Sequence, residues 1–264
     1  MADALRLNRA GAAHALVLEG VCRTFGALVA LDKVDLTVGA GERRGILGAN
    51  GAGKTTLFNA ITGDFPPTLG RIRFFGEDVT KLPPYERIRR GMRRTYQNSL
   101  LFRGLSVLDN LYLACRGVAA KRLSFIRQRH DEAALESARD LAHAVHLDGV
   151  AESLVSDLSH GQQRQLEIGM ALAGAPRLIL FDEPAAGLSP GERRDLVQIL
   201  SALPRHIGFV IIEHDLDVAL RVVDRITVMH NGAIFKHGTP QEIQSDPEVQ
   251  RIYLGGKYEG GKHG

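Results

Sequence analysis

The residues best suited to chemistry form a glycine-rich segment, residues 48–55, which reads GANGAGKT. It matches the phosphate-binding pattern G-x-x-x-x-G-K-[ST], which needs a strand before it and a helix after it. Glycines let backbone N–H groups approach phosphate oxygens, and the helix N-terminus adds positive potential. Lys54 can reach the β- and γ-phosphates, and the Thr55 hydroxyl can ligate Mg²⁺. We therefore predict that this loop binds ATP and Mg²⁺ through Gly48, Ala49, Asn50, Gly51, Ala52, Gly53, Lys54, Thr55 and Thr56.

A second reactive set follows an apolar run, since residues 178–183 read LILFDE. Such a run is typical of a buried parallel strand, and ligands of open α/β sheets bind at the carboxyl ends of strands. We predict that Asp182 holds Mg²⁺ and that Glu183 polarises the water that attacks the γ-phosphate. An acidic pair at this position could instead cap a helix. Its occurrence together with the phosphate loop favours the catalytic interpretation.

The segment LSHGQ, residues 158–162, opens a third element, and its Ser159 lies 23 residues before Asp182 (182 − 159). A serine and a glycine at a helix start can offer hydroxyl and backbone donors to an anion. The same residues fit an ordinary capping box, in which Ser159 and Gln162 satisfy each other's backbone groups. The segment by itself leaves both interpretations open.

These side chains need elements that bring them together. Residues 16–38 and 71–75 have strand-like patterns and predict a small antiparallel flank. Residues 43–47 read as a strand that feeds the glycine-rich turn, and residues 54–61 as the helix after it. Helical spacing dominates residues 97–158, and alternation of helix and strand resumes from Ser159. The predicted class is α/β, a P-loop NTPase core with a mostly parallel sheet, an antiparallel β flank and an inserted helical subdomain over about 97–165.

Length and composition support one large domain. We predict a flexible leader over 1–15, a single domain over 16–254 and a flexible tail over 255–264 of the 264 residues. Hydrophobic residues make up 44% and charged residues 24%, which excludes a disordered or collagen-like chain. No apolar run approaches the about 18 residues of a membrane-spanning helix, and the first residues lack a secretory signal. The net charge of +3 suits an anionic ligand or surface.

The phosphate loop, LSHGQ and LILFDEP, in this order and spacing, resemble the ABC ATPases over about residues 16–254. In that family a signature segment, LSGGQ, of one subunit closes over ATP held by the phosphate loop of the other. The resemblance implies an ATP hydrolase in which Ser159, Gly161 and Gln162 contact the partner's nucleotide. His160 stands where the family more usually has glycine.

Single positions can be carried over from the same resemblance. Gln97 resembles the glutamine that joins Mg²⁺ and the attacking water to the helical subdomain, although an exposed loop residue is the alternative. His214 resembles the switch histidine that contacts the γ-phosphate during catalysis. Phe25 resembles the aromatic residue on which adenine stacks, with core packing equally open. Ser189 stands where the family commonly has aspartate, and we expect it to cap the next helix.

Longer segments point to a transporter type. GALVALDKVDLTV, GMRRTYQNSLLFRGLSVLDNLYLA, IIEHDLDVAL and DPEVQRIYLGG look like the ATPases of bacterial importers for branched-chain amino acids and of their urea and amide relatives. The resemblance implies a second ABC ATPase subunit, in a homo- or heterodimer, two transmembrane permease subunits and, indirectly, a periplasmic substrate-binding protein. The expected location is the cytoplasmic face of the inner membrane. We further expect the helical subdomain around residues 97–113, with the neighbouring Arg93 and Arg94, to dock on a cytoplasmic loop of the permease.

Two other functions must be weighed. A small-molecule kinase also uses a phosphate loop, but LSHGQ and the pair Asp182 and Glu183 argue against it. A soluble ABC ATPase acting on nucleic acid or ribosomes would suit the basic patches. Such proteins usually join two ATPase halves or carry long coiled insertions, whereas this chain has one phosphate loop and no heptad run. We therefore expect no nucleic-acid partner.

Overall fold

Two sheets organise the residues that the computed structural model describes, which are 14–95, 101–118 and 129–251. Within these ranges one sheet has six strands and the other has four. The strands are β1 (His14–Phe25), β2 (Leu28–Gly39), β3 (Arg43–Leu47), β4 (Leu69–Phe74), β5 (Glu77–Asp78), β6 (Met92–Thr95), β7 (Leu178–Asp182), β8 (Gly208–Ile212), β9 (Arg225–His230) and β10 (Ala233–Gly238).

Helices cover the sheets and build a separate helical region. In chain order they are α1 (Lys54–Thr62), α2 (Pro84–Arg89), α3 (Val107–Val118), α4 (Arg129–Ala144), α5 (His160–Leu172), α6 (Pro190–Ala202), α7 (Leu216–Val222), α8 (Pro240–Ser245) and α9 (Pro247–Val249). Two 3₁₀ turns, Asp148–Val150 and Val155–Asp157, lie between α4 and α5.

The larger sheet has the order β10-β9-β3-β8-β7-β6, and all its neighbours are parallel except β10 and β9. Every residue of β3, β7 and β8 is buried, and this explains the apolar runs LILF of β7 and FVII of β8, whereas β3 begins with two buried arginines, Arg43 and Arg44. Asp182 at the end of β7 is opposite Ile212 at the end of β8. The loops that follow β3, β7 and β8 therefore leave the sheet at one edge.

The smaller sheet, β2-β1-β4-β5, is antiparallel and forms the predicted flank. Its inner face packs on α1 and on one face of the larger sheet, in a core that includes Leu57, Leu180 and Val210. β1 begins at His14, with Ala15 fully buried, so the strand includes the last two residues of the predicted leader. The other leader residues and the predicted tail lie outside the described residues.

The helical region consists of α3, α4 and α5. Their apolar faces meet around Leu111, Val145 and Leu166, and the same core continues to the other face of the larger sheet. α5 runs to Leu172, beyond the predicted limit near residue 165, because Ile168 remains buried against that core.

A buried arginine closes the C-terminal end of α1. Arg87 in α2 is 1% exposed, and its Nη1 donates to the carbonyl oxygens of Ala60 and Ile61 at 2.8 and 2.6 Å. Its Nε and Nη2 donate to the carbonyl oxygens of Leu82 and Thr80 at 2.9 and 3.1 Å. A cation at a helix C-terminus is also favoured by the helix dipole. Burial lowers the pKa of Arg87 to about 10. This side chain thus fixes the helix that begins at Lys54.

Arg87→Met is expected to lower the free energy of unfolding by about 3 to 5 kcal/mol, because two buried and two partly buried carbonyl groups lose their donor. Arg87→Lys should restore only part of the loss, since an ammonium cannot reproduce the fork of the guanidinium. Urea unfolding measures both changes. Arg89→Met is the control, because the Arg89 side chain on the same helix is 62% exposed and should matter by less than about 0.5 kcal/mol. Equal losses at the two arginines would contradict the assigned role of Arg87.

Candidate nucleotide site

The glycine-rich loop joins β3 to α1 and is pressed against neighbouring backbone. Gly51 and Gly53 have φ of +80° and +99°, in the left-handed region that glycine adopts most readily. A Cβ at Gly53 would lie 2.7 Å from the carbonyl oxygen of Ala30, and one at Gly48 would lie 2.5 Å from that of Met229. Gly53 is therefore required both for its dihedral angle and for packing, Gly51 for its dihedral angle and Gly48 for packing.

Lys54 closes this loop from inside. It is 6% exposed, and its Nζ donates to the carbonyl oxygens of Gly48 and Ala49 at 2.7 and 3.0 Å. Burial lowers the pKa of Lys54, and the carboxylates of Glu183 and Asp182 partly offset this effect. The lysine therefore lies within electrostatic reach of both predicted catalytic acids.

Asp182 is the last residue of β7 and is 1% exposed. Its Oδ2 accepts a hydrogen bond from Arg94 Nη2 at 2.7 Å, whereas its buried Oδ1 has no hydrogen-bond partner among the described residues. A carboxylate oxygen in that state is costly unless it meets a ligand. Mg²⁺ is usually held by one or two carboxylates together with substrate phosphates, and Thr55 lies exposed at the start of α1. The donor set fits Mg²⁺.

Glu183 and His214 form a pair at the ends of β7 and β8. His214 Nε2 lies 2.9 Å from Glu183 Oε1, and because a carboxylate only accepts, Nε2 carries the donated hydrogen. The Glu183 backbone has φ +49°, a strained value for a residue with a side chain. It is held there by Ile212, whose carbonyl accepts from Glu183 N at 2.9 Å, and by Arg164, which donates to the Glu183 carbonyl at 3.0 Å. Such strain is characteristic of functional positions.

Glu213 is a residue that the sequence reasoning missed. It is 2% exposed, and its Oε1 accepts from Ala185 N at 2.7 Å while its Oε2 accepts from His214 N at 3.1 Å and Asp215 N at 3.4 Å. The carboxyl group thus ties the loop after β7 to the loop after β8. Burial raises the pKa of Glu213 to about 7, despite these three donors. The only sequence signal was an acid beside His214, directly after an apolar strand.

The LSHGQ segment begins α5 with the predicted capping box. Gln162 N donates to Ser159 Oγ at 3.2 Å, and Ser159 N donates to Gln162 Oε1 at 2.9 Å. Ser159 and His160 are exposed, and the Ser159 hydroxyl keeps its own hydrogen for a further acceptor. Among the described residues, no hydrogen bond or ion pair joins residues 159–162 to residues 48–56. Capping and anion binding are therefore compatible at this serine.

Glu192 links the starts of α5 and α6. Its Oε1 accepts from Gly161 N at 2.9 Å, and its Oε2 accepts from Ser189 N at 2.9 Å. Ser189 in turn accepts from Glu192 N at 3.4 Å, which confirms the expected cap. The hydrogen bonds with the backbone and side chain of Ser189, followed by the one from Gly161 N, lower the pKa of Glu192. The backbone of the LSHGQ segment is thus held by a carboxylate from the helix that follows Glu183.

Phe25 lies at the end of β1 and is 45% exposed, so it is not a core residue. Its ring packs edge-on against Phe65 at 5.6 Å, and the guanidinium of Arg23 lies 4.6 Å from its centroid. An exposed aromatic ring is accessible for stacking. Gln97 falls within residues 96–100, outside the described residues.

The expectation that Arg94 docks on a membrane subunit is wrong, because its side chain is buried and bonded to Asp182, whereas for Arg93, which is half-buried, the expectation stays a prediction. Both residues belong to β6, and Arg93 Nη1 donates to the carbonyl oxygens of Ile88 and Met92 at 2.6 and 2.9 Å. The Arg94 side chain is only 6% exposed. A run of arginines in sequence does not distinguish a solvated face from a buried strand that uses its guanidinium groups internally.

The raised pKa of Glu213 makes stability depend on pH. The folded protein binds this proton more tightly than the unfolded chain, so the stabilisation is complete below about pH 4.5 and is lost as pH rises through about 7. Glu213→Gln stays neutral at every pH. Relative to this variant, the unmodified protein should lose roughly 2 kcal/mol of unfolding free energy between pH 5 and 7. Urea unfolding at the two pH values measures the difference, and parallel pH profiles would contradict the buried, protonated state.

The described residues contain no helix that is both long and apolar enough to span a bilayer. Residues 31–186 match a family described as ABC transporter, and residues 237–259 match one described as branched-chain amino acid ATP-binding cassette transporter.

Named relatives agree with these matches. The chain is 36% identical to the high-affinity branched-chain amino acid transport ATP-binding protein BraF of Pseudomonas aeruginosa, covering 91% of this chain and 97% of BraF. It is also 36% identical to the lipopolysaccharide export system ATP-binding protein LptB of Escherichia coli, again over 91% and 97%.

A solved structure confirms the predicted fold class. The crystal structure of an ATP-binding cassette of an ABC transporter in its ADP conformation is 34% identical, has a TM-score of 0.81, and is matched over 92% of this chain and 99% of that one. More than half of the chain lies in the first family match. The chain therefore belongs to the ABC transporter family of ATP-binding cassettes, which hydrolyse ATP to power transport.

Proposed function

We propose that this chain drives an importer for branched-chain amino acids or related small polar solutes. ATP hydrolysis is supported by one observation. Lys54, Asp182 and the Glu183–His214 pair lie close together at one edge of the larger sheet. LptB shows that overall identity does not select the cargo, because its identity equals that of BraF. The match at residues 237–259 supports the branched-chain type. The active domain would begin at His14, where β1 starts, rather than at residue 16, and extend to about residue 254.

The site residues take distinct roles in this proposal. The triphosphate of ATP would lie along the backbone of residues 48–56, with Lys54 exchanging its two carbonyl partners for phosphate oxygens. Thr55, Asp182 and Gln97 would hold Mg²⁺. When bound, the ion neutralises charge on the β- and γ-phosphate oxygens. The exposed ring of Phe25 would stack on adenine.

Glu183 would act as the base. Its Oε1 is held by His214 Nε2, and the same N–H can instead donate to a γ-phosphate oxygen. If His214 turns to the phosphate, the Glu183 carboxylate becomes available to take a proton from the attacking water. The strained backbone of Glu183 and its two backbone hydrogen bonds would keep the carboxylate in place during this exchange.

A second subunit would complete each site. The exposed Ser159, with Gly161 and Gln162, would face the γ-phosphate of nucleotide held by the partner's loop. ATP would stabilise the closed pair, and hydrolysis would remove the contacts of Ser159 and His214 so that the pair opens. The partner is an ABC ATPase subunit, the same chain or a similar one.

The permease would dock on an exposed apolar patch of the helical region, formed by Phe102, Leu105 and Leu154. These residues are 54%, 37% and 45% exposed. Leu105 N donates to the Phe102 carbonyl, and Val155 N donates to the Leu105 carbonyl, each at 3.0 Å, which places the three side chains on neighbouring backbone. Exposed apolar clusters mark interaction surfaces. We place this face against two transmembrane permease subunits at the cytoplasmic side of the inner membrane, with a periplasmic binding protein acting only through them and no nucleic acid involved.

Glu183→Gln is expected to bind MgATP and to form a stable closed dimer, with hydrolysis reduced at least about 100-fold, because the base is lost and the shape kept. Lys54→Ala should instead lose nucleotide affinity. Size-exclusion chromatography with ATP and a phosphate-release assay measure both results. Glu152→Gln, at an exposed position away from the site, is the control and should behave as the unmodified protein. Normal turnover by Glu183→Gln would contradict its role as base.

Phe102→Ser is expected to reduce co-purification with the membrane subunits at least about fivefold while ATP binding persists, because it removes apolar contact area from the patch. Leu69→Ser is the matched control, because Leu69 is also an exposed apolar residue (66% exposed) but lies on β4 of the smaller sheet, outside the helical region. Pull-down from detergent-solubilised membranes measures the association. If the two variants retained the membrane subunits equally, the patch would not be the docking surface.

A further inference from the structure

Arg94 is the direct partner of Asp182. It lies on β6, opposite Leu180 of the neighbouring β7, and its Nη2 donates to Asp182 Oδ2 at 2.7 Å. The two side chains are 6% and 1% exposed. An ion pair this deeply buried fixes both groups, because separating them would leave a charge without compensation.

The other arm of the same guanidinium reaches the end of α1. Arg94 Nη1 donates to Asn59 Oδ1 at 2.5 Å and to Asp64 Oδ2 at 2.9 Å. Thr62 Oγ1 also donates to Asp64 Oδ2, at 2.8 Å. One arginine therefore connects the carboxyl end of β7 with the far end of the helix that starts at Lys54. Its position is set from two sides by carboxylates.

This arrangement divides the two oxygens of Asp182. Oδ2 is engaged by Arg94, and Oδ1 has no hydrogen-bond partner within the described part of the chain. A charge-assisted hydrogen bond to one oxygen fixes the rotation of the carboxylate and so the direction of the other oxygen. Groups that bond to metal ligands in this way commonly set their orientation and the affinity for metal.

We infer that Arg94 is a positioning residue for the metal, which holds the Asp182 carboxylate turned so that Oδ1 is presented to Mg²⁺. The inference rests on the proposed function, in which Asp182 is a ligand. Without Arg94, the buried carboxylate would lose the hydrogen bond that sets its rotation, and Oδ1 would no longer be held in one direction.

The opposite effect is physically possible and makes the inference testable. A guanidinium beside a metal ligand repels the cation, so an arginine that served only to hold β6 and α1 together would weaken Mg²⁺ binding. Its removal would then lower the overall stability and leave the Mg²⁺ requirement unchanged, or reduce it. The two roles predict changes of opposite sign.

The test is a Mg²⁺ titration of the binding of a fluorescent ATP analogue to the full chain. Arg94→Met should bind the analogue in EDTA as the unmodified protein does, but should need about tenfold more Mg²⁺ for half of the metal-dependent gain in affinity. Arg94→Lys keeps the charge with a poorer fit, and about a threefold shift is expected. Mn²⁺ binding followed by electron paramagnetic resonance should show the same order.

Arg44→Met is the matched control. Arg44 is likewise buried and paired with Glu42, but it lies on β3 beside Thr227, away from Asp182. An unchanged or smaller Mg²⁺ requirement in Arg94→Met, or an equal shift in Arg44→Met, would overturn the inference. If Arg94→Met does not fold, Arg94→Lys takes its place, and an unchanged Mg²⁺ requirement in Arg94→Lys would also overturn the inference. Absence of Mg²⁺-dependent binding in the unmodified protein would reject the proposed function instead.

Discussion

The parallel register of β3, β8 and β7 is the constraint on which the rest of the structure depends. It brings the glycine-rich loop, Asp182 and the residues after Ile212 to one edge of the sheet, although they are far apart in sequence. A slip of one residue would turn Asp182 to the opposite face, because side chains alternate along a strand. The fully buried strands prevent such a slip, since it would exchange two well-packed faces. Core packing therefore serves directly to align the site.

Three acids at this edge have different properties because their surroundings differ. Asp182 is buried, and one of its oxygens is engaged by the guanidinium of Arg94. Glu183 is partly exposed and bonded to an imidazole, so it remains able to exchange partners. Glu213 is buried among backbone donors, and burial raises its pKa to about 7. One residue is thus suited to a metal, one to proton transfer and one to holding two loops together.

Several groups of the site already satisfy one another within this chain. Lys54 bonds to the loop carbonyls, His214 to Glu183, and Gly161 to Glu192. In the proposed function, nucleotide would exchange these hydrogen bonds for others rather than add new ones, and such exchanges have small net free energies. A small net free energy suits the proposed cycle, because the closure of the dimer that ATP drives must be reversible after hydrolysis. The bond between Gly161 and Glu192 further links the LSHGQ turn to the helix that follows Glu183.

The sequence by itself determined the features that depend on neighbours in the chain. The loop of residues 48–55, the apolar strand before Asp182 and the capping boxes at Ser159 and Ser189 could all be predicted, because their hydrogen bonds or patterns span only a few residues. The α/β class followed from the alternation of predicted helices and strands along the chain. The roles of His214 and Phe25, in contrast, came only from the resemblance to the ABC ATPases.

Only the tertiary structure decided which distant groups meet. Arg94 and Asp182 are 88 residues apart, and Glu213 and Ala185 are 28 apart. No local pattern specifies such pairs, since burial and charge compensation arise only when the strands and helices have packed. The same reason explains why Arg94 looked like part of a surface patch in sequence and is buried in the fold.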